Sequence, residues 1–272
     1  MGTGKRIAVA GGTGRVGKHV VELLKAAGHE VVPMSRSSGV DVITGHRLAA
    51  ALSGAKVIVD AATGPSPDEA AATEFFTTAT RNLHEAGAQV GVERLVVVSI
   101  IGCDRFAAGY NAAKVAHEQA ALAGPIPARI LRAAQFHEFV EQILDWGTQG
   151  EVGYVPEMRT QLVAARAVAE ALVELAVAPD SATSSADGQI PQIAGPRIER
   201  LVEMARLVAA KRGGPERVEE ANDPYDPDRE LFGTDGLLPG PHATLAGPTF
   251  EQWLAIEGDE FPRRRRSHFV TR

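Results

Sequence analysis

The sequence predicts an α/β fold, a doubly wound parallel sheet with a smaller, loop-rich C-terminal lobe. Three observations carry this. Short β-branched runs alternate with longer stretches of helical spacing through the first half. The first of those runs breaks into a glycine turn that continues as a helix. After about Trp146 strands thin out, and Gly, Pro and Asp accumulate. Strands alternating with helices form right-handed βαβ units and a parallel sheet covered on both faces. Ligands then gather at the carboxyl ends of the strands, where the strand order reverses.

The elements follow in order. A strand at 7–10 leads through the glycine turn into a helix at 15–27, where Val16, Val20, Leu23 and Leu24 fall on one face. Further β-branched runs predict strands at 31–34, 57–61, 95–99 and 128–131, with a weaker one at 40–43. Helical spacing occupies 47–52, 68–86 and 110–123. An alanine-rich helix is expected at 163–177, ended by Pro179 and the polar run at 180–188. A strand at 190–194 and an amphipathic helix at 198–210 come next, then a Gly-, Pro- and Asp-rich loop at 213–248 and a last short helix at 250–256.

Composition narrows the function classes. With 44% hydrophobic and 23% charged residues and a net charge of −6, the 272-residue chain can build a large core and is too weakly charged for disorder. A pI of about 5.8 argues against nucleic acid, whose phosphates call for a basic face. The arginines at 263–266 dissent, and are read as a solvated tail near the end of the chain. Cys103, the only cysteine, permits no intramolecular disulfide and fits a reducing cytoplasm. Lys5-Arg6 lead straight into a core-like run, so no signal peptide is expected, and the longest apolar runs are far too short to span a bilayer. No membrane partner is expected, and a homodimer stays open.

The motif Gly11-Gly-Thr-Gly-Arg-Val-Gly17 points to a bound dinucleotide. One of its spaced glycines permits a backbone angle that side chains forbid, one lets a pyrophosphate approach, and one lets helix and strand pack closely. The candidate cofactor set at this turn is Gly11, Thr13, Gly14, Arg15, Val16 and Gly17. An NAD-selective site places an acidic residue about 20 residues further on, to accept from the ribose 2′-hydroxyl. This chain has Arg36 there, beside Ser35, and a guanidinium matches a 2′-phosphate in geometry and charge. Arg15 is expected to face the same phosphate. The cofactor predicted is NADP(H).

Tyr110-Asn-Ala-Ala-Lys114 puts a phenol and an ammonium four residues apart on one helical face. A nearby cation stabilises a phenolate, and such a pair exchanges a proton with an oxygen whose carbon trades hydride with nicotinamide.

With the glycine motif, Val96-Val-Val-Ser-Ile-Ile-Gly102, Tyr110 to Lys114 and Ile130-Leu-Arg132, the chain resembles the short-chain dehydrogenase/reductase superfamily, more narrowly its atypical, NmrA-like group. The resemblance covers about the first 140 residues and extends weakly to Phe250-Glu-Gln-Trp253. It implies a Rossmann-type sheet, a nicotinamide cofactor and a Ser/Tyr/Lys set. Carried over, Tyr110 is the acid–base group, Lys114 holds the ribose and lowers the tyrosine pKa, and Ser99 is the serine. Ser99 is followed by Ile100-Ile101, where many relatives carry a second Ser or Thr. The turn Ala62-Thr63-Gly64 lacks the asparagine many relatives have, and is expected to meet the cofactor through its backbone. The implied organisation is a dinucleotide-binding domain at 1–150, a substrate-side lobe at 151–262 and a basic tail at 263–272.

His137, after the fifth strand, is a further candidate as proton donor or substrate contact, against the reading of a helix-start histidine satisfied by backbone. His117 and Glu118 are placed on the helix surface. No residues show metal-ligand spacing. The expected function is an NADP(H)-dependent reductase or dehydrogenase of a small-molecule carbonyl/alcohol pair. An NADP-using epimerase or dehydratase and a dinucleotide sensor without turnover stay as alternatives.

Overall fold

The computed structural model describes residues 4–179 and 189–257, so the polar run at 180–188 and the basic tail lie outside the described residues. Five strands, β1 (Arg6–Ala10), β2 (Glu30–Met34), β3 (Val57–Asp60), β4 (Arg94–Ile100) and β5 (Ala128–Ala133), form the centre of a sheet. Between them run α1 (Gly17–Ala26), α2 (Leu48–Leu52), α3 (Glu69–Gln89) and α4 (Gly109–Ala123). Every pairing is parallel, in the order β2-β1-β3-β4-β5, and β9 (Gln192–Ala194) and β12 (Thr244–Leu245) extend it to seven strands. The chain leaves β1 toward one edge and returns as β3 on its other side. That reversal opens a crevice between the carboxyl ends of β1 and β3.

Side-chain alternation along the strands sorts residues onto two cores. Ile7, Val9, Val57, Val59 and Val96 meet Val20 and Leu24 of α1 and Val168 and Leu172 of α6 (Ala165–Val177). Ala8, Ile58, Leu95 and Val97 meet Leu48 and Leu52 of α2, Leu83 of α3 and Ala121 of α4. Each buried leucine contributes roughly 1.5–3 kcal/mol. Asp68, expected as the first helical residue, instead caps α3 by accepting from the Ala71 amide at 3.0 Å.

Two expectations change. Residues 40–43 form a turn rather than a strand, because side chains take the backbone groups a ladder would need. Asp41 Oδ1 accepts from the Ile43 amide at 2.8 Å, and Asn82 donates to the carbonyls of Val42 and Ile43 at 2.8 Å. The sheet is also not confined to the first 150 residues, since β9, β12 and α6 complete and cover it.

Beyond β5, α5 (His137–Gly147) runs into two small sheets. One joins β6 (Thr148–Gln149), β7 (Val152–Val155) and β11 (Arg217–Glu220); the other pairs β8 (Arg159–Thr160) with β10 (Glu199–Arg200). The helix expected at 198–210 starts at Leu201 as α7 (Leu201–Arg212), its first residues being spent on β10. The stretch expected as loop holds β11, α8 (Arg229–Gly233) and β12, and α9 (Phe250–Glu257) follows. A third core, including Val140, Leu144, Leu201, Val208, Phe250 and Trp253, binds α5, α7 and α9 together.

His137 fastens this part. It is fully buried, its Nε2 donates to the Pro248 carbonyl at 3.1 Å, and its ring packs at 5.3 Å from Phe250 and 5.4 Å from Trp253. Burial pushes the imidazole down to about 4. The unfolded chain takes up this proton below about 6.5 and the folded chain does not. Stability from His137 is therefore complete above the unfolded value and lost as pH falls toward the folded one, on the order of 3 kcal/mol in all. In thermal unfolding, the stability gap between wild type and His137→Gln, which keeps a neutral donor, should close between about pH 8 and about pH 4.5. Gly102, after β4, has φ +74°, and a Cβ there would run into the Gly236 carbonyl oxygen. Gly102→Ala should cost about 1–3 kcal/mol in urea unfolding.

Candidate active site

The glycine turn closes β1 against the start of α1. Gly11 has φ +70°, and a Cβ on it would lie 2.6 Å from the Ala61 carbonyl oxygen. A Cβ on Gly17 would collide with the Gly11 carbonyl, so the helix approaches the turn as closely as only glycine allows. The Gly14 amide donates to Gly11 O at 2.8 Å, and Lys18 N donates to Gly14 O at 3.0 Å. The amides of Thr13, Arg15 and Val16 find no acceptor among the described residues. Unpaired amides at a helix start, with the positive end of its dipole, suit a pyrophosphate. A dinucleotide fits this frame.

Thr13, Gly14 and Arg15 line a cleft of about 890 Å³, with Thr63 on one side and Glu138, Glu141 and Gln142 of α5 on another. Arg15, expected to face a 2′-phosphate beside Arg36, is engaged by another side chain. Arg15 donates to Gln142 at 3.0 Å, across the cleft, where its charge also bears on Glu141. Arg36 is exposed in a 3-10 turn after β2, and its side chain makes no hydrogen bond or ion pair with the described residues. Ser35 caps that turn, its Oγ accepting from the Ser38 amide at 3.2 Å. Glu141 is pushed up to about 7 by burial, against the pull of Arg212 at 3.2 Å. Sequence reading missed these α5 side chains, although 138, 141 and 142 share one helical face.

Two carboxylates anchor the start of α4. Asp228 accepts from the amides of Ala107 at 2.7 Å and Ala108 at 2.9 Å, and Glu69 accepts from Gly109 N at 2.7 Å. Negative groups at a helix N-terminus are favourable. Tyr110 follows, its ring edge-on to Phe76 at 5.8 Å and its hydroxyl 3.0 Å from Thr63 Oγ1. Burial raises the phenol above the usual tyrosine value, and the Thr63 hydrogen bond opposes that rise.

Lys114 does not partner Tyr110. Its Nζ donates to the Val98 carbonyl at 2.7 Å and to His117 Nδ1 at 2.8 Å, and lies 4.4 Å from the Phe76 ring centroid. Burial pushes it down to about 8, with Asp60 pulling the other way. His117 Nε2 in turn donates to Asp60 Oδ2 at 3.3 Å. The Asp60–His117 pair draws the ammonium to the sheet, so the expected depression of the phenol is not found. His117 and Glu118, expected on the surface, are buried.

Ser99 turns with Leu95 and Val97 toward the face α4 covers. It hydrogen-bonds Glu118 and lies 3.8 Å from Cys103 Sγ. Burial would raise Glu118, but hydrogen bonds from Arg132 at 2.9 and 2.7 Å and from Ser99 hold it below its usual value. Burial pushes Cys103 up to about 11. His137, bonded to Pro248, is likewise set in a core and not in the cleft lining. In the turn after β3, the Ala62 amide donates to Asp60 Oδ1 at 3.0 Å, and Gly64 packs on Phe75. Among the described residues no His, Cys, Asp and Glu side chains group as a metal site, and no helix is long and apolar enough to cross a membrane.

The sequence profile of the NAD(P)H-binding family matches residues 11–179. No curated protein matches the chain in sequence. Among solved structures, the fold is similar to MoeE5 in complex with UDP-glucose and NAD, at 20% identity and a TM-score of 0.65, covering 96% of this chain and 94% of that one. It is similar to a short-chain dehydrogenase/reductase superfamily protein from Agrobacterium tumefaciens with bound NAD, at 17% identity, a TM-score of 0.62 and coverage of 92% and 95%. The NAD-dependent NDP-hexosamine 5,6-dehydratase TunA shares 16% identity, with a TM-score of 0.63 and coverage of 91% and 90%. The match over most of the chain and the parallel sheet with its glycine turn agree: the chain belongs to the NAD(P)H-binding family.

Proposed function

We propose that the protein is a cytoplasmic NADP(H)-dependent oxidoreductase acting on a small-molecule carbonyl/alcohol pair, with Tyr110 as acid and base. One observation carries this reading: the Tyr110 hydroxyl sits 3.0 Å from Thr63 Oγ1, and Thr63 lines the cleft beside the glycine turn. The amides of Thr13, Arg15 and Val16 hold the pyrophosphate, and Ala62, Thr63 and Gly64 border the cofactor. Arg36, exposed at the end of β2, takes the 2′-phosphate. The nicotinamide supplies or accepts the hydride. Tyr110 holds the proton and gives it to the substrate oxygen in reduction. A phenol raised by burial stays protonated at neutral pH, which suits it to act as an acid. Lys114 supports the Phe76 ring against which Tyr110 packs. Ser99 and His137 serve packing and buried hydrogen bonding.

A second reading, an epimerase or dehydratase that uses the cofactor transiently, draws on the likeness to the dehydratase and to the UDP-glucose complex. Cofactor retained through purification and never consumed on turnover favours it. A sensor without turnover would bind NADPH equally well as wild type and as Tyr110→Phe, with no substrate turned over by either.

With NADPH and a carbonyl panel, Tyr110→Phe should lower kcat at least ~100-fold and leave NADPH affinity unchanged. Equal turnover by the two proteins overturns the role of Tyr110. The acid form is the active one in reduction, so kcat should stay level through neutral pH. It should fall only above the usual tyrosine value, about 10. Arg36→Glu should weaken NADPH relative to NADH by about tenfold to a hundredfold in fluorescence titrations.

A further inference from the structure

We propose that the Thr63 side chain positions the reacting proton of Tyr110, in place of the strand-end serine and of Lys114. The proposal rests on the reading of Tyr110 as acid and base. It begins from what holds the phenol: beyond the Phe76 ring at its edge, the one hydrogen bond to its oxygen among the described residues comes from Thr63, at 3.0 Å. Thr63 is exposed and lines the cleft, so this bond sits where the substrate oxygen must arrive.

The other groups that might serve are engaged. The Lys114 ammonium is committed to Val98 O and His117 Nδ1. Ser99 is committed to Glu118 beneath α4. Ile100, next along β4, packs into the core of α5 and α7 and has no hydroxyl to offer.

Thr63 is also held in place. Before it, the Ala62 amide is bonded to the buried Asp60 carboxylate. After it, a Cβ on Gly64 would stand 3.0 Å from Phe75 Cγ, so the turn is seated on that ring. A β-branched side chain between two fixed neighbours has few rotamers to lose.

A hydroxyl both donates and accepts, which the reaction needs. Before reduction, Thr63 accepts from the phenol or shares its proton. Bound reduced nicotinamide would supply the hydride for the new C–H bond, and with it the Tyr110 O–H bond breaks and its proton forms the O–H bond of the product alcohol. The phenolate left behind receives the Thr63 O–H as a donor. A proton from water then restores the phenol through the exposed Thr63 oxygen, which gains one proton and passes on its own. The sum is carbonyl plus hydride plus proton to alcohol.

The test reads the phenol directly, without substrate or cofactor. Protein labelled with fluorotyrosine, whose phenol titrates lower, is followed by fluorine NMR against pH. The chain's three tyrosines make Tyr110→Phe the means of assigning the Tyr110 signal. Thr63→Val should move that titration upward by about 0.5 to 1 in pH, and Thr63→Ser should restore it. In steady-state reduction, Thr63→Val should lower kcat several-fold, and Thr63→Ser should recover most of it. A Tyr110 signal titrating at the same pH in wild type and Thr63→Val overturns the proposal, whatever the activities. Equal turnover by wild type and Tyr110→Phe overturns instead the reading on which it rests, while the titration still tells whether Thr63 controls the phenol.

Discussion

Asp60 ends β3 with a buried carboxylate whose two oxygens hold different parts of the site. Oδ1 accepts from the Ala62 amide and shapes the turn that carries Thr63. Oδ2 accepts from His117 and, through it, orients Lys114 on α4. A carboxylate taken out of water costs several kcal/mol unless its lone pairs are met. Here an amide, an imidazole N–H and the nearby ammonium meet them. One residue at the sheet's carboxyl edge thus ties the turn bearing Thr63 to the helix bearing Tyr110. The 3.0 Å contact between those two side chains depends on that tie.

Helix α4 is held along its length by charged and polar groups. Asp228 and Glu69 fix its first turn, and the Asp60–His117–Lys114 chain fixes its middle. Glu118 then joins it to Arg132 on β5, and Arg132 reaches Asp104 at 2.9 Å as well. Fixing a helix on both sides of a reactive group keeps that group in one geometry. The apolar side chains of α4 alone, mostly alanines, would leave it freer to slide. The buried charges act on register as much as on stability, as buried polar groups do where they specify one arrangement.

The parts of this arrangement that were legible in the sequence are those set by local sterics. The glycine turn needs Gly11 for its positive φ and Gly17 for its close approach, and both requirements leave a mark in the chain. The central strands are legible because buried β-branched runs have few other uses. Residues 40–43 misled because an Asx turn and a reach from Asn82 satisfy their backbone, and neither has a periodicity. β11 was hidden because only Val218 of its four residues is buried. On α4, spacing put Tyr110 and Lys114 on a shared face, but which part of that face meets the sheet depends on Asp60 and His117. Polar residues pointing inward, as His117 and Glu118 do, run against the pattern by which an exposed face is read.

The engagement of Lys114 bears on which direction of proton transfer the site favours. For the ammonium to reach the phenol it must give up its bonds to Val98 O and His117 Nδ1, each worth about 1.5–3 kcal/mol because the donor is charged. It would also strand the His117 nitrogen in a buried place, at a further cost. The gain on the other side is a phenolate stabilised by a cation. That gain is large only at pH values where the phenolate is already populated, and burial has moved the phenol away from that range. At neutral pH the balance keeps Lys114 where it is and the phenol protonated. A protonated phenol beside a single hydroxyl is an acid waiting for a base, so the resting site is set for protonating a carbonyl oxygen. Oxidation of an alcohol needs the opposite: a phenolate, formed against burial and without the cation. Under the function proposed above, this resting protonation state suits reduction more than oxidation, because the sheet holds Lys114 away from the phenol.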